Sequence, residues 1–311
     1  MSVLVLGEVL VDLIWRTGAE EIRPYPGGSP ANVALGLQRL AQPATLSTCW
    51  GDDPAGQLIE AHLRRTGLDV QRVRSASNRT TIALAYVDPA SGAASYEFLP
   101  AWDPEPFGVA PDVTLLHTGS LAGVIGPGAE RVQEACRHVR VRSGGTVAVD
   151  LNVRPAALPQ RDAYRAAAEQ LVRYAHVVKA SDEDLEWLYP GSDPADAARA
   201  LLTLGPRLAV VTHGPGGATA ITAEHRVDAP APVVEVVDTI GAGDAFQAAL
   251  LDALLGYGVT APEAEVHIPE TAGELSELLG HCTVAGALAC TRHGAEPPTR
   301  EEIRALRAAT S

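Results

Sequence analysis

The sequence predicts an α/β fold, a mostly parallel sheet with helices on both faces, and two observations carry that expectation. Apolar runs of strand length alternate with amphipathic stretches of roughly 10–15 residues, the spacing that crossover connections between parallel strands require. The chain is also long and apolar enough, at 311 residues and 46% hydrophobic composition, to bury a large core instead of staying disordered.

Val3-Leu4-Val5-Leu6, stopped by Gly7, is a continuous apolar run and suits a strand buried on both faces. After a loop at 24–30, Val33, Leu37 and Leu40 recur at helical spacing from Ala31 onward, so one face of a helix packs there. The alternation continues with helix at 57–66, strand at 113–116, helix at 129–142 and strand at 146–150. Next come helix at 163–174, a short strand at Val177-Val178, helix at 195–204 and strand at 208–212. One stretch departs from the pattern. Residues 80–87 and 94–99 are β-rich and joined by the turn-forming Asp88-Pro-Ala-Ser-Gly92, which predicts a hairpin. Together with 12–25 this hairpin makes a small β lid. The expected organisation is one α/β domain over 1–311 with the lid inserted from about 12–27 and 79–103. The proline-rich patches at 100–111 and 229–232 read as connecting loops.

Asp and Glu outnumber Lys and Arg 38 to 24, and the formal net charge of -14 argues against a surface that neutralises nucleic-acid phosphates. Lys179 is the one lysine, so a phosphate cradle must otherwise use arginine or backbone N–H groups. The four cysteines show no C-x-x-C spacing and suit a reducing cytoplasm. Residues 2–15 are apolar but interrupted by Gly7, Glu8 and Asp12 and lack a basic leader, so they read as strand and not as a signal peptide. No apolar run approaches the roughly 20 residues that cross a bilayer, and no membrane partner is expected. None of the nine histidines has H-x-x-x-H or H-E-x-x-H spacing, and no serine sits in G-x-S-x-G, so neither a zinc site nor a hydrolase has support. His117, His213 and His281 are expected as packed or hydrogen-bonded side chains.

The most informative stretch is 236–250. Val236-Val237 reads as a strand end, and the part after Gly241-Ala-Gly-Asp244 reads as a helix with Phe246, Leu250, Leu254 and Leu255 on one side. The glycines then stand at a helix N-terminus, where unpaired N–H groups and the positive dipole end can hold an anion. Two readings fit this string by itself. In one, the glycines make a tight turn and Asp244 complements the dipole. In the other, backbone donors cradle a transferring phosphoryl group while the Asp244 carboxylate accepts the proton of an attacking hydroxyl. Rival glycine motifs are absent. A P-loop needs a lysine that is not there, and Phe246 and Thr219 stand where a dinucleotide fingerprint needs its third glycine, which leaves a dehydrogenase without its signature.

Gly27-Gly28-Ser-Pro-Ala-Asn32 and Asp238-Thr-Ile-Gly-Ala-Gly-Asp244 resemble, in the right order, the two signature segments of the ribokinase-like (PfkB) carbohydrate kinases. The resemblance runs over nearly the whole chain, through Gly7-Glu8, 95–99, Asp150-Leu-Asn-Val-Arg154, Lys179-Ala-Ser-Asp-Glu-Asp184, Thr212-His-Gly214 and 287–294. It is similar above all to the bacterial fructokinase branch. It implies a ribokinase-like fold and ATP- and Mg2+-dependent transfer of the γ-phosphoryl group to a sugar hydroxyl. Asp244 is then the general base, and Gly241, Ala242 and Gly243 form the anion hole. The resemblance further implies that Asp12, Gly28 and Asn32 line the sugar pocket. It places Lys179, Ser181, Thr212, Gly214 and Gly217 around the nucleotide, Cys282 near the adenine, Asp184 within reach of magnesium through water, and Asp238 at a monovalent cation site for K+. Read from residue type alone, Asp12 is equally a strand-end turn residue, Asn32 a helix cap, Lys179 a solvated charge and Arg154 a surface ion-pair residue.

Three departures bear on the acceptor and the nucleotide. Asp184 stands where relatives usually carry Glu, Cys282 where they commonly carry Asn, and 98–103 lacks the Arg that fructokinases often place there. Beside fructose, the acceptors 2-keto-3-deoxygluconate, ribose and nucleosides therefore stay open. A non-catalytic sugar- or nucleotide-sensing protein is the alternative from another class. The partners expected are sugar and ATP, with a homodimer formed through the lid.

Overall fold

The computed structural model describes residues 2–89, 94–260 and 265–310. Its strands are β1 (Ser2–Leu6), β2 (Leu10–Arg16), β3 (Ile22–Gly27), β4 (Ala44–Thr48), β5 (Asp69–Arg72), β6 (Thr81–Val87), β7 (Ala94–Leu99), β8 (Val113–Gly119), β9 (Thr146–Asp150), β10 (Val177–Ser181), β11 (Leu208–Thr212), β12 (Ala218–Ile221), β13 (Arg226–Ala229), β14 (Val259–Thr260) and β15 (Glu265–Val266). The helices are α1 (Ser29–Arg39), α2 (Pro54–Thr66), α3 (Gly128–His138), α4 (Arg161–Val172), α5 (Asp182–Leu188), α6 (Pro194–Leu202), α7 (Ala242–Gly256), α8 (Ala272–Ala289) and α9 (Arg300–Thr310). Among the described residues no helix is long and apolar enough to cross a membrane.

Nine strands form one sheet in the order β13-β12-β11-β10-β9-β8-β1-β4-β5. The seven from β11 to β5 pair in parallel, as the strand–helix alternation predicts, and β12 and β13 extend the edge antiparallel. Two cores cover its faces. Val3, Val5, Leu46 and Ala148 face one with Leu37 of α1, Ile59 of α2, Leu250 and Leu254 of α7, Leu278 of α8 and Ile303 of α9. Leu4, Leu6, Leu116 and Val149 face the other with Val132 of α3, Tyr164 and Leu171 of α4, Leu188 of α5 and Leu201 of α6. Successive strand residues alternate between the two cores, so continuous apolar runs are what a sheet buried on both faces demands.

The remaining expectations mostly hold, with instructive differences. The hairpin at 80–99 is β6 and β7, pairing antiparallel, although residues 90–93 of its expected turn lie outside the described residues. It joins β2 and β3 in a separate four-stranded sheet, β3-β2-β6-β7. Pro24 and Pro26, expected in a loop, lie inside β3. That strand is the edge of the small sheet, where a missing N–H removes no ladder bond. Helix α3 stops at His138 and a π turn, Val139–Ser143, completes the predicted helical stretch before Gly144 turns left-handed at φ 67°. The strand end expected at Val236-Val237 is absent. These side chains are 61% and 46% exposed, and Val237 N–H bonds the Cys290 carbonyl instead of a ladder. Helix α7 is not one-sided either. Gln247, Ala248, Leu251 and Asp252 are as buried as Phe246 and Leu250, because α1, α8 and the sheet enclose it.

Candidate active site

Parallel register brings the C-terminal ends of neighbouring strands to one edge. Gly119 lies opposite Asp150, Asp150 opposite Lys179, and Ser181 opposite Thr212. Ligands of open α/β sheets bind beyond this edge.

The first turn of α7 reaches it. Gly241 caps the helix at φ 78°, and a Cβ there would stand 2.7 Å from the Cα of Ala295, so glycine is required twice over. Ala242, Gly243 and Asp244 follow with their N–H groups at the helix start. Asp244 is held from α1: Ser29 Oγ donates to Oδ1 at 2.6 Å and Asn32 Nδ2 to Oδ2 at 2.8 Å. Two helix N-termini thus converge on one carboxylate. Asn32 is a first-turn residue whose side chain crosses to α7 instead of capping its own helix.

Lys179 is not a solvated charge. It is 4% exposed, and Nζ pairs with Asp150 Oδ2 at 2.7 Å. The ammonium lies 3.5 Å from where a Cβ on Gly243 would be, against the first turn of α7. Burial pushes the Asp150 carboxyl up to about 6; Lys179 opposes the rise, and Asp184 and Asp244 add to it. The second oxygen, Oδ1, is buried without a hydrogen-bond partner among the described residues, as is Nδ2 of Asn152, whose φ of 38° is left-handed.

Ser181 and Asp184 form a capping box at α5. Ser181 Oγ accepts Asp184 N–H at 3.0 Å, and Asp184 Oδ2 accepts Ser181 N–H at 2.8 Å. Asp184 Oδ1 also accepts Val153 N–H at 2.8 Å and ties the exit of β9 to α5. Beside them Thr212 ends β11, Gly214 is exposed at φ 51°, and Gly217 turns the chain at φ 98° with the Ala229 carbonyl 2.1 Å from its missing Cβ. Asp238 braces the loop before α7 to the loop after α8: Oδ1 accepts Ile240 N–H at 3.0 Å and Oδ2 accepts Gly294 N–H at 2.8 Å.

Opposite this edge stands the small sheet. Asp12 sits mid-strand in β2, not at a strand end, and its Oδ2 would be 2.3 Å from a Cβ on Gly27. Register places Tyr25, Ala83 and Phe98 on the same face. Burial pushes Asp12 up to about 6, and the Arg154 guanidinium opposes it, so Arg154 reaches towards the small sheet from the exit of β9. Gly28, at φ 121°, packs against the Glu8 carbonyl, 2.6 Å from its missing Cβ. The Glu8 carboxylate is buried and accepts Ala122 N–H at 2.9 Å. Burial pushes it up to about 7 against its hydrogen bonds to backbone and Ser120 and the charge of Arg154.

The edge thus gathers a glycine-capped helix start, a carboxylate at its first turn and a facing sheet with a second carboxylate. The model of the pfkB family carbohydrate kinases matches residues 1–302. The chain belongs to this family. It is 32% identical over 303 residues to a fructokinase of Klebsiella pneumoniae, covering 94% of each chain. Among solved structures it superposes on a fructokinase double mutant from Vibrio cholerae O395 in its fructose-, ADP- and potassium-bound form, with TM-score 0.81, 26% identity and coverage of 98% and 97%. Fructokinase from Xylella fastidiosa with bound ATP gives TM-score 0.85, 25% identity and coverage of 99% and 98%. The fold is ribokinase-like, and the protein is a carbohydrate kinase of fructokinase-like type.

One residue expected in this kinase's nucleotide site is elsewhere. Cys282 is fully buried in the core with α7, and its thiol is pushed up by burial, so it presents nothing to an adenine. Two residues carry more than the sequence assigned to them. Ser29 holds the Asp244 carboxylate, and its only signal was its position at the head of a helix behind two glycines. Glu8 pins the turn after β8, and its signal was an acid inside an otherwise apolar run.

Proposed function

We propose that this kinase transfers the γ-phosphoryl group of ATP to a primary hydroxyl of fructose, and the observation that carries the reading is the convergence of α1 and α7 on Asp244. Asp244 accepts the hydroxyl proton as the sugar oxygen attacks phosphorus, and the N–H groups of Gly241, Ala242 and Gly243 at the helix start stabilise the transferring group. Lys179 adds a buried positive charge beneath them. Ser29 and Asn32 fix the direction of the base, while Asp12, Gly28 and Asn32 hold the sugar with Tyr25 and Phe98 beside it. Ser181, Thr212, Gly214 and Gly217 receive the nucleotide phosphates and ribose.

Magnesium suits this edge, because a hard cation takes carboxylate and water oxygens and Asp150 Oδ1 is a buried oxygen without a partner among the described residues. Asp150 and Asp184 would hold it, Asp184 through water; when bound, the ion neutralises phosphate charge. Asp238 is the carboxylate offered to K+. The small sheet acts as a lid that excludes water from the reaction. Ile22 and Leu99, 48% and 65% exposed, lie on its face opposite Asp12, and that face is offered to a second copy in a homodimer. Three of the four free cysteines are buried, in keeping with work in the cytoplasm.

The test is a coupled ADP-release assay with MgATP and K+ against fructose, 2-keto-3-deoxygluconate, ribose, glucose and nucleosides. Fructose should give the highest kcat/KM. Asp244→Asn should lower kcat by about 10²–10⁴-fold with ATP binding retained. Sugar-dependent turnover in that variant above a hundredth of the parent value overturns the general-base role.

A further inference from the structure

His213 stands between Thr212 and Gly214 and has polar partners at both ring nitrogens. Nδ1 lies 3.2 Å from Asp182 Oδ2, and Nε2 lies 2.9 Å from Thr219 Oγ1. Thr219 donates its own hydroxyl proton to Asp228 Oδ1 at 2.6 Å. The Asp228 carboxyl is held below the ordinary carboxylate range, first by this bond and then by Arg226, so it is an acceptor and takes the threonine proton. A hydroxyl has one hydrogen. Thr219 Oγ1 therefore shows Nε2 only lone pairs, and Nε2 must carry a proton.

The same count applies at the other nitrogen. Asp182 is the first residue of α5, and its Oδ1 accepts Glu183 N–H at 2.9 Å. An ionised carboxylate only accepts, so Nδ1 must carry a proton too. The geometry is complete for the imidazolium and for neither neutral tautomer. The charged groups facing the ring are Asp182 from α5 and, through Thr219 of β12, Asp228 and its partner Arg226 from β13.

We propose that His213 is a positioning residue for the nucleotide. As an imidazolium it bridges α5 to the β12–β13 edge and fixes the Gly214–Gly217 turn against Ser181, and the bridge opens when the ring loses a proton. The backbone agrees, because His213 N–H bonds the Gly217 carbonyl at 2.8 Å and Gly216 N–H bonds the His213 carbonyl at 2.9 Å, so ring and turn move together. Deprotonation leaves Nδ1 and a carboxylate as two acceptors face to face. This inference rests on the proposed nucleotide site at Ser181, Thr212 and Gly214.

Two readouts separate the inference from that reading. In 15N-labelled protein, two-bond 1H–15N spectra should show both nitrogens of the His213 ring protonated at pH 6. The signal is assigned by its loss in His213→Gln. A ring with one unprotonated nitrogen at every pH where the protein is folded overturns the imidazolium. In steady-state kinetics, KM for MgATP should rise about three- to tenfold as the ring deprotonates, the scale of one partly exposed charge-assisted hydrogen bond, while kcat does not follow that titration. His213→Gln should keep KM high and flat with pH. Asp182→Asn, whose amide can donate to a neutral ring, should keep it low and flat. A KM that ignores the ring's titration overturns the positioning role even if the spectra show the imidazolium. Absence of ATP turnover in the parent protein overturns the nucleotide reading itself and leaves the spectra to decide the ring.

Discussion

Glu8→Gln should make the protein more stable, and only at neutral pH. The carboxyl is buried, and burial pushes its pKa up from the ordinary 4.5 to about 7. At about 1.4 kcal/mol per tenfold change, that rise corresponds to roughly 3 kcal/mol of unfavourable burial once the group is ionised. The sign follows from proton uptake. Between pH 4.5 and about 7 the folded protein keeps a proton that the unfolded chain releases, so the Glu8 contribution falls through this window and is constant above it. Glutamine keeps an oxygen to accept Ala122 N–H and offers an amide to Ser120, while losing the attraction to Arg154. Parent and variant should therefore unfold alike in urea near pH 4.5, and the variant should gain about 2–3 kcal/mol by pH 8. The other carboxylates titrate in both proteins and cancel in the difference. A difference that does not change with pH would refute the argument, because burial of a charge would then not be what raises Glu8.

Lys179→Met should cost about 3–5 kcal/mol by leaving Asp150 as a buried charge without its cation, and adding Asp150→Asn should recover part of this in urea unfolding. Gly28→Ala should cost about 1–3 kcal/mol and lower sugar-dependent turnover, since its φ of 121° and the Glu8 carbonyl both exclude a side chain, as thermal unfolding and the coupled assay would show. Asp252, 3% exposed, accepts from Gln42, His281 and Arg300 and joins the turn after α1 to α7, α8 and α9; Asp252→Ala should cost about 3–5 kcal/mol in urea unfolding. Burial raises Asp252, but those bonds outweigh it and hold the carboxyl low, so its contribution is present above the unfolded value and lost as pH falls. The penalty should accordingly shrink below about pH 4.

The interior strands were readable because a parallel sheet buried on both faces needs apolar residues at every position, and β1, β9 and β11 supply them. Ala44-Thr-Leu-Ser-Thr48 and Asp69-Val-Gln-Arg72 carry no such run; β4 and β5 are strands because β1 offers an edge and each then pairs in turn. The Gly-Ala-Gly-Asp turn was legible as a glycine-capped helix start because the apolar residues of α7 begin just after it, though the string by itself fits a plain turn as well as an anion cradle. Its partner Ser29 was not, since 215 residues separate it from Asp244 and no local pattern records that contact. Residue type alone left Lys179 open between a nucleotide-site residue and a solvated charge for the same reason. Its counter-ion Asp150 is 29 residues away and becomes adjacent only when β9 and β10 pair.

The burial of that lysine has a chemical corollary. Of the 24 Lys and Arg side chains, only Lys179 bears a primary amine, and it is sealed at 4% exposure in an ion pair. Sugars in their open-chain carbonyl form condense with lysine amines to Schiff bases, and guanidinium groups do not react in this way. A sugar kinase thus offers its acceptor no ε-amino group on its described surface, and can stand in concentrated sugar without its lysine chemistry turning the sugar into an adduct.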